Sequence, residues 1–404
     1  MSAQIQTKVL FPVYHSASRT EFRLENKVYL NTFRLANLQT KPDVSDIAYT
    51  PLVGVGACIR NITLFSGNTP IDESRNSHEM LAFSELRNSN AVNLDIAHEN
   101  TGTKWGFQVG ARNAQHIPTI VFTDDSPSVK PDSSAVLSSA GTLNLQKVLP
   151  YLSADDIVPG SLIPNLRLVI EWRTNEPNNV FSGASGGVNY EVQEPQLFVD
   201  EVVDPSILSK VNSQSSISIP YFSWEQDRVR IPLAVVNTVQ SANLRINGFN
   251  NKSVRRMLMV NIPEDVGTSD AVLMKNDASV AMHEEVFNFR LNGRQMFALN
   301  GVNSENKKLD QVSYVFGSLN VPQGTNYDGL AAANNFLSDD VKKLQGHLSY
   351  GGFWMGYRIS DLELQYKRYG RGAGNQLKAF YMDIYGEVSK QLVVKGGQVT
   401  VAYA

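Results

Sequence analysis

Little in this sequence points to chemistry. A single cysteine, Cys58, excludes an intramolecular disulfide and with it the secreted scaffolds that depend on several. Such a lone thiol is expected as a small buried apolar residue in a strand, in a protein assembled in a reducing compartment. No run of eighteen apolar residues occurs, so no membrane-spanning helix is expected. The opening residues lack the continuous apolar stretch of a signal peptide, and the sequons Asn61-Ile62-Thr63 and Asn251-Lys252-Ser253 therefore read as chance matches. Charged residues are only 19% of the chain, below the quarter or so usual in soluble proteins. Net charge is −3, the isoelectric point is about 6.1, and Lys8 and Arg19 are the only basic side chains among the first twenty residues. An Arg-rich packaging arm able to neutralise many phosphates is absent, so no strong direct nucleic-acid binding is expected.

Catalytic patterns are missing too. The six histidines, His15, His78, His98, His116, His283 and His347, form no His-Glu-x-x-His pair and no zinc spacing with cysteine. Asp124-Asp125, Asp155-Asp156 and Asp339-Asp340 would bind calcium only with further oxygen ligands around them, and read as solvated loops or helix caps. Gly183 to Gly187 places Ser185 in a formal nucleophile elbow, but a strand, Val188 to Val199, is expected after it where that motif requires a helix. Gly370 to Gly374 follows the basic Lys367 and Arg368, yet no lysine-serine pair completes a phosphate loop, and it reads as an inter-strand loop. No catalytic, cofactor-binding or metal site is assigned, and the chain is read as no enzyme.

What the sequence has is alternation. Leu166, Leu168, Ile170 and Trp172 point one way and Arg167, Glu171 and Arg173 the other, as in a strand with one buried face. Phe287, Phe289 and Leu291 alternate with Asn288 and Arg290; Leu362, Leu364 and Tyr366 with Glu363, Gln365 and Lys367. Phe380, Met382 and Ile384 do the same, and Val399, Val401 and Tyr403 end the chain in the same way. Asn292-Gly293 has the composition of a type I′ hairpin turn; Asn247-Gly248 and Gly396-Gly397 are further candidates. Helical signals are short: Asp72 to Leu86 with Met80, Phe83 and Leu86; the Ala-rich Leu330 to Phe336; and a turn capped by Ser338, with Val341 and Leu344 inward. Long loops are expected over 96–160 and 174–187, where proline, serine and glycine gather. Asp204-Pro205, the short segment Ser206 to Asn212 and the polar run from Ser213 to Ser216 mark a boundary, with new strand material from Ile217. The expectation is an all-β chain of two jelly-roll β-barrels in tandem with short decorating helices, divided into residues 1–212 with an N-terminal arm and residues 213–404. The arm, Met1 to Thr20, precedes a first clear strand at Val28 to Leu38; its apolar Val9, Leu10, Phe11, Val13 and Tyr14 suit packing on its own barrel or docking on a neighbour.

Three stretches carry a resemblance. Between Pro51 and Asp72, the residues Ile59, Ile62, Leu64, Gly67, Ile71 and Asp72 stand at the spacing of a strand that runs into a helix. Tyr190 to Val203 is similar to a last barrel strand leading into a connector. Asn250 to Val260 and Ala379 to Val401 resemble the opening and closing strands of a second barrel. In order and spacing these resemble the double jelly-roll major capsid proteins of adenoviruses, tailless membrane-containing phages, virophages, polinton-like viruses and large icosahedral DNA viruses. The resemblance implies a homotrimeric, pseudo-hexagonal capsomer in an icosahedral virion, assembled inside the host cell. It implies neighbouring capsomers, minor capsid and penton proteins as partners, and leaves an internal membrane open. Two other readings stay open on the residues: a carbohydrate- or receptor-binding jelly roll with aromatic platforms built from Trp105, Trp172, Trp224 or Trp354, and a transient viral scaffold lattice. A non-enzymatic role predicts that Ser185→Ala leaves oligomer and particle yield unchanged; labelling of Ser185 by a fluorophosphonate probe would contradict it.

Overall fold

Alternating side chains become antiparallel ladders. The structure, a computed structural model, describes residues 4–42, 48–49, 54–77, 81, 141–175, 180–182, 189–193, 195–232, 239–263, 285–297, 301, 315, 357–369 and 379–404. The first group of strands is β1 (Ile5–Leu10), β2 (Tyr14–His15), β3 (Arg19–Arg23), β4 (Tyr29–Leu30), β5 (Arg34–Pro42), β6 (Ala48–Tyr49), β7 (Ile59–Ser66), β8 (Thr69–Arg75), β9 (Gly141–Asn144), β10 (Ile157–Val158), β11 (Leu166–Trp172), β12 (Phe181–Ser182), β13 (Tyr190–Gln193) and β14 (Gln196–Val202). Helix α1 (Pro205–Asn212) follows. The second group is β15 (Ser216–Ile231), β16 (Val239–Arg245), β17 (Ser253–Pro263), β18 (Glu285–Leu291), β19 (Arg294–Gln295), β20 (Tyr357–Arg358), β21 (Leu362–Tyr369), β22 (Phe380–Lys395) and β23 (Gln398–Tyr403).

Among the described residues, each ladder stays within one group. In the first, the sheet β10-β4-β14-β5-β13, with β1 on β14 and β9 on β5, faces the sheet β2-β3-β11-β7-β8; β6 and β12 form a separate pair. In the second, β15-β22-β17-β20, with β23 on β22, faces β16-β21-β18-β19. Each pair of sheets encloses an apolar core, one with Phe22, Leu64, Leu168 and Leu197, the other with Met257, Phe289, Leu364 and Ile384. This is the expected all-β, two-barrel architecture.

Local readings hold where period two is clean and fail where tertiary contacts intervene. Leu166, Leu168, Ile170 and Trp172 are buried, as are Phe287, Phe289, Leu291, Leu362, Leu364, Tyr366, Met382 and Ile384. Arg173, expected outward, is buried: a register shift after Glu171 ends the ladder, and its guanidinium donates to Ile59 O at 3.4 Å and Asn76 Oδ1 at 3.0 Å. Asn288 is buried as well, exchanging side-chain bonds with the Phe297 backbone. Asn292 and Gly293 have φ of 47° and 81°, Gly396 and Gly397 of 58° and 75°, and each pair closes a two-residue hairpin. Asn247-Gly248 makes no hairpin; it begins the crossing between β16 and β17, which lie in different sheets, and the left-handed residue there is Asn251 at φ 63°.

Several boundaries move. Asp72 to Arg75 belong to β8, not to a helix; Ser77 and Leu81 are helical, while Met80, Phe83 and Leu86 lie outside the described residues, as do Leu330 to Phe336 and Ser338 to Leu344. Within 96–160, read as loops, residues 141–158 hold β9, β10 and two 3-10 turns that bury Leu143, Leu145, Leu149 and Leu152; residue 174–187 contains β12. The expected strand Val28 to Leu38 divides into β4 and β5, and Val188 to Val199 into β13 and β14. The second group opens with β15, so the stretch Asn250 to Val260 contributes its third strand, β17. The connector from Pro205 is a helix, capped by Asp204 Oδ1 accepting from Ser206 N at 2.9 Å.

The arm docks on its own barrel. Residues Ile5 to Leu10 pair antiparallel with Val202 to Leu197, and Lys8 forms an ion pair with the buried Glu201. Deleting residues 1–10 would bare the edge of β14 and leave Glu201 with Lys27 alone, 3.5 Å away. The deletion is expected to lower stability by about 2 kcal/mol or more, read from the urea midpoint; an unchanged midpoint would place the arm outside the barrel.

Candidate functional site

The two cores meet along one ribbon. Strands β15 and β22 have sixteen residues each and pair from Ser216↔Lys395 to Ile231↔Phe380. At about 3.4 Å per residue they run roughly 50 Å, longer than one barrel wall needs. Odd-numbered residues of β15 share a face with even-numbered residues of β22. At one end of that face Ile217, Ile219, Tyr221, Leu392 and Val394 pack into the first core. At the other end Val229, Ile231, Met382, Ile384 and Val388 pack into the second. Between them the face turns polar, with Ser223, Glu225 and Asp227 on β15 and Lys390 on β22.

This polar band meets Asp72 of β8. The Asp72 carboxyl is fully buried and accepts from Ser223 Oγ at 2.6 Å, Glu73 N at 3.0 Å and Tyr151 N at 2.8 Å. Burial pushes its pKa up to about 6, even though Ser223, Tyr151, Lys390 and Glu73 all favour the charged form. Beside it the Tyr221 hydroxyl donates to Ile71 O at 2.5 Å, and the Tyr151 and Tyr221 rings meet edge to face with centroids 5.2 Å apart. Glu225 pairs with Lys390 at 3.0 Å and with Lys252, and accepts from the Tyr403 hydroxyl at 2.9 Å. Burial alone would raise the Glu225 pKa, but Lys390 and Lys252 hold it below the usual carboxylate value. The Lys252 and Lys390 ammoniums lie 5.0 and 5.5 Å from the Tyr403 ring centroid. Asp72, Glu225, Lys252, Lys390 and Tyr403 line a cavity of about 460 Å³ with Pro70, Arg75, Trp224 and Gln226.

The arrangement joins the two barrels. Its carboxylates are committed to lysines, to backbone N–H donors and to the Ser223 hydroxyl. Cys58 is buried in a 3-10 turn just before β7, not in the strand, and burial pushes its thiol far up, away from the thiolate. His15 is held by Thr20 Oγ1 at 2.7 Å and Val192 O at 2.9 Å. Asp155 Oδ1 accepts from Asp156 N at 2.7 Å, a local turn bond, and no group of three potential metal ligands occurs among the described residues. Trp172 is buried and donates to Thr20 Oγ1 at 2.8 Å, so it is no binding platform. Ser185, Gly370 to Gly374, the other five histidines, Asp124-Asp125, Asp339-Asp340, Trp105 and Trp354 lie outside the described residues. The sequence pointed to none of Ser223, Glu225, Lys252 and Lys390; a polar break in the alternating run Ile217 to Ile231 marks Ser223 and Glu225, while nothing local marks the two lysines.

A raised pKa makes Asp72 a pH-dependent contributor. Its proton is held more tightly in the folded state, so the stability it contributes is full below 3.8, its usual value, and is lost as pH rises through about 6. That gap corresponds to about 3 kcal/mol at most. The difference in unfolding free energy between the wild type and Asp72→Asn should therefore change by up to about 3 kcal/mol between pH 4 and 7, in the direction of a less stable wild type at higher pH. Parallel pH profiles from urea titrations would show that Asp72 keeps an ordinary pKa.

No protein-family model and no curated protein sequence matches the chain. Solved structures do. The cryo-EM structure of the Sputnik virophage matches with a TM-score of 0.61 at 12% identity, over 100% of this chain and 89% of that one. The PBCV-1 Vp54 crystal structure, fitted into a reconstruction of Sputnik, matches with a TM-score of 0.59 at 11% identity, over 100% and 98%. The mavirus major capsid protein matches with a TM-score of 0.53 at 8% identity, over 98% and 90%. Two barrels joined through a shared ribbon, matched from end to end in both directions, give this chain the double jelly-roll fold of these capsid proteins.

Proposed function

We infer that the chain is a major capsid protein whose trimers form the pseudo-hexagonal capsomers of an icosahedral DNA-virus shell. The observation that carries this reading is the match of both barrels, over the whole of this chain, to capsid structures of a virophage and a large virus. Its work is geometric. Residues 1–212 and 213–404 act as two barrels of one subunit, so three subunits around a threefold axis present six similar walls. Threefold closure satisfies each head-to-tail contact and leaves no open fibre. Neighbouring capsomers, and minor capsid and penton proteins where the tiling changes, complete the shell of the virion.

The surface suits such contacts. Ile5, Val9, Phe11, Val13 and Tyr14 are 40–67% exposed along β1, β2 and the link between them. An apolar stripe of this length is uncommon on a monomer and fits a contact between subunits. A carbohydrate-binding jelly roll is less well supported, since Trp172 is buried and Trp224 lies against Arg256.

The purified protein is expected to behave as a trimer, 3 × 44.7 kDa or about 134 kDa, by light scattering, and to show hexagonal outlines by electron microscopy. A monomer over a wide concentration range would overturn the reading. Replacing Phe11 and Val13 together by serine is expected to weaken the trimer at least tenfold while leaving the subunit's urea midpoint within about 1 kcal/mol of wild type, because both side chains are already exposed.

A further inference from the structure

The first core is finished by residues far along the chain. Residues 5–202 supply both of its sheets, yet Tyr221, Leu392 and Val394 are buried inside it, and Ile217, Ile219, Val399 and Val401 pack against it. Leu392 is 0% and Val394 4% exposed. Polar bonds cross the same boundary: Tyr221 to Ile71 O, Ser223 to Asp72, and Asn76 Nδ2 to Gln226 Oε1 at 3.2 Å. Val401 and Tyr403 of β23 lie beside Thr69 to Ile71 of β8 around the junction cavity.

The order of pairing makes this dependence strict. Among the described residues, β15 forms a backbone ladder with β22 and with no other strand. Before β22 is present, β15 has no ladder to hold Tyr221 and Ser223 against Ile71 and Asp72. The apolar gap in the first core would then face water, a costly state. Leu392, Val394, Val399 and Val401 close that gap only after β22 has paired with β15 across more than a hundred residues of sequence.

We propose that the β22–β23 hairpin is a closing strap: the first barrel reaches its native core only once this hairpin has paired with β15, and the two barrels open and close as one cooperative unit. Chains interrupted before residue 380 are thereby kept out of the native state and out of any assembly. The strap acts within one subunit, so its test is independent of whether trimers form.

Native-state hydrogen exchange on the full chain, across a urea series, tests it. The slowest amides of β7 and β11, in the first barrel, should merge with those of residues 390–395 onto one isotherm with a common urea dependence. In Leu392→Ala, amides of β3, β7 and β11 should exchange at least tenfold faster than in the wild type. Should that variant fail to fold, the wild-type isotherms and the milder Val401→Ala decide. A first barrel that opens on its own isotherm, with wild-type rates in β7 and β11 when Leu392 or Val401 is cut back, would overturn the proposal.

Discussion

A ribbon of two sixteen-residue strands cannot be apolar on one face along its whole length unless two cores lie end to end beneath it. That constraint organises the molecule. The face shared by β15 and β22 is apolar at each end and polar in the middle, and the polar middle falls where one core stops and the next begins. Ser223, Glu225 and Lys390 are buried or nearly so there, and each needs a partner. Asp72 and Tyr403 supply them from the first barrel and from the last strand. The junction is thus held by directional bonds where apolar packing alone would let the barrels slide or rotate.

Rigidity of this kind suits a shell. A subunit whose barrels moved freely would present no fixed set of walls to its neighbours, and weak lateral contacts add up only if every copy offers the same geometry. The junction's ionisable groups are held in place: Glu225 is tied to two lysines, and the buried Asp72 carboxyl accepts from Ser223, Glu73 and Tyr151. Such groups hold the junction in position. The exposed apolar stripe from Ile5 to Tyr14 lies on the opposite account, a surface with no internal partner on its outer side.

Much of the fold was legible because strands with one wet face write their period into the sequence. Leu166 to Trp172, Phe287 to Leu291 and Leu362 to Tyr366 could be assigned residue by residue, and the hairpins at Asn292-Gly293 and Gly396-Gly397 followed from residues that tolerate positive φ. The misreadings have a common cause. Arg173 and Asn288 obey the alternation of polarity, but other elements fold over them and satisfy them with backbone and amide partners. Asp72 looked like the start of a helix because an acidic residue before Met80 and Phe83 has that signature; it is in fact a strand residue whose carboxyl serves another strand 151 positions away. Residues 141–158 looked irregular because 3-10 turns and two-to-four-residue strands are too short to show a period.

The sequence by itself determined the β class, the strand faces and the hairpin turns at Asn292-Gly293 and Gly396-Gly397. These depend on interactions between near neighbours, the steric demands of φ and the division of apolar from polar along a strand, and near neighbours are what a sequence displays. Only the tertiary structure decided that residues 5–10 are a barrel strand and no free arm, that β22 and β23 help build the first core, and that Asp72 meets Ser223. Those contacts join segments more than a hundred residues apart. Any of several exposed strand edges and buried polar groups could have been their partners, and the choice was made by which arrangement leaves no core open and no buried charge unpaired.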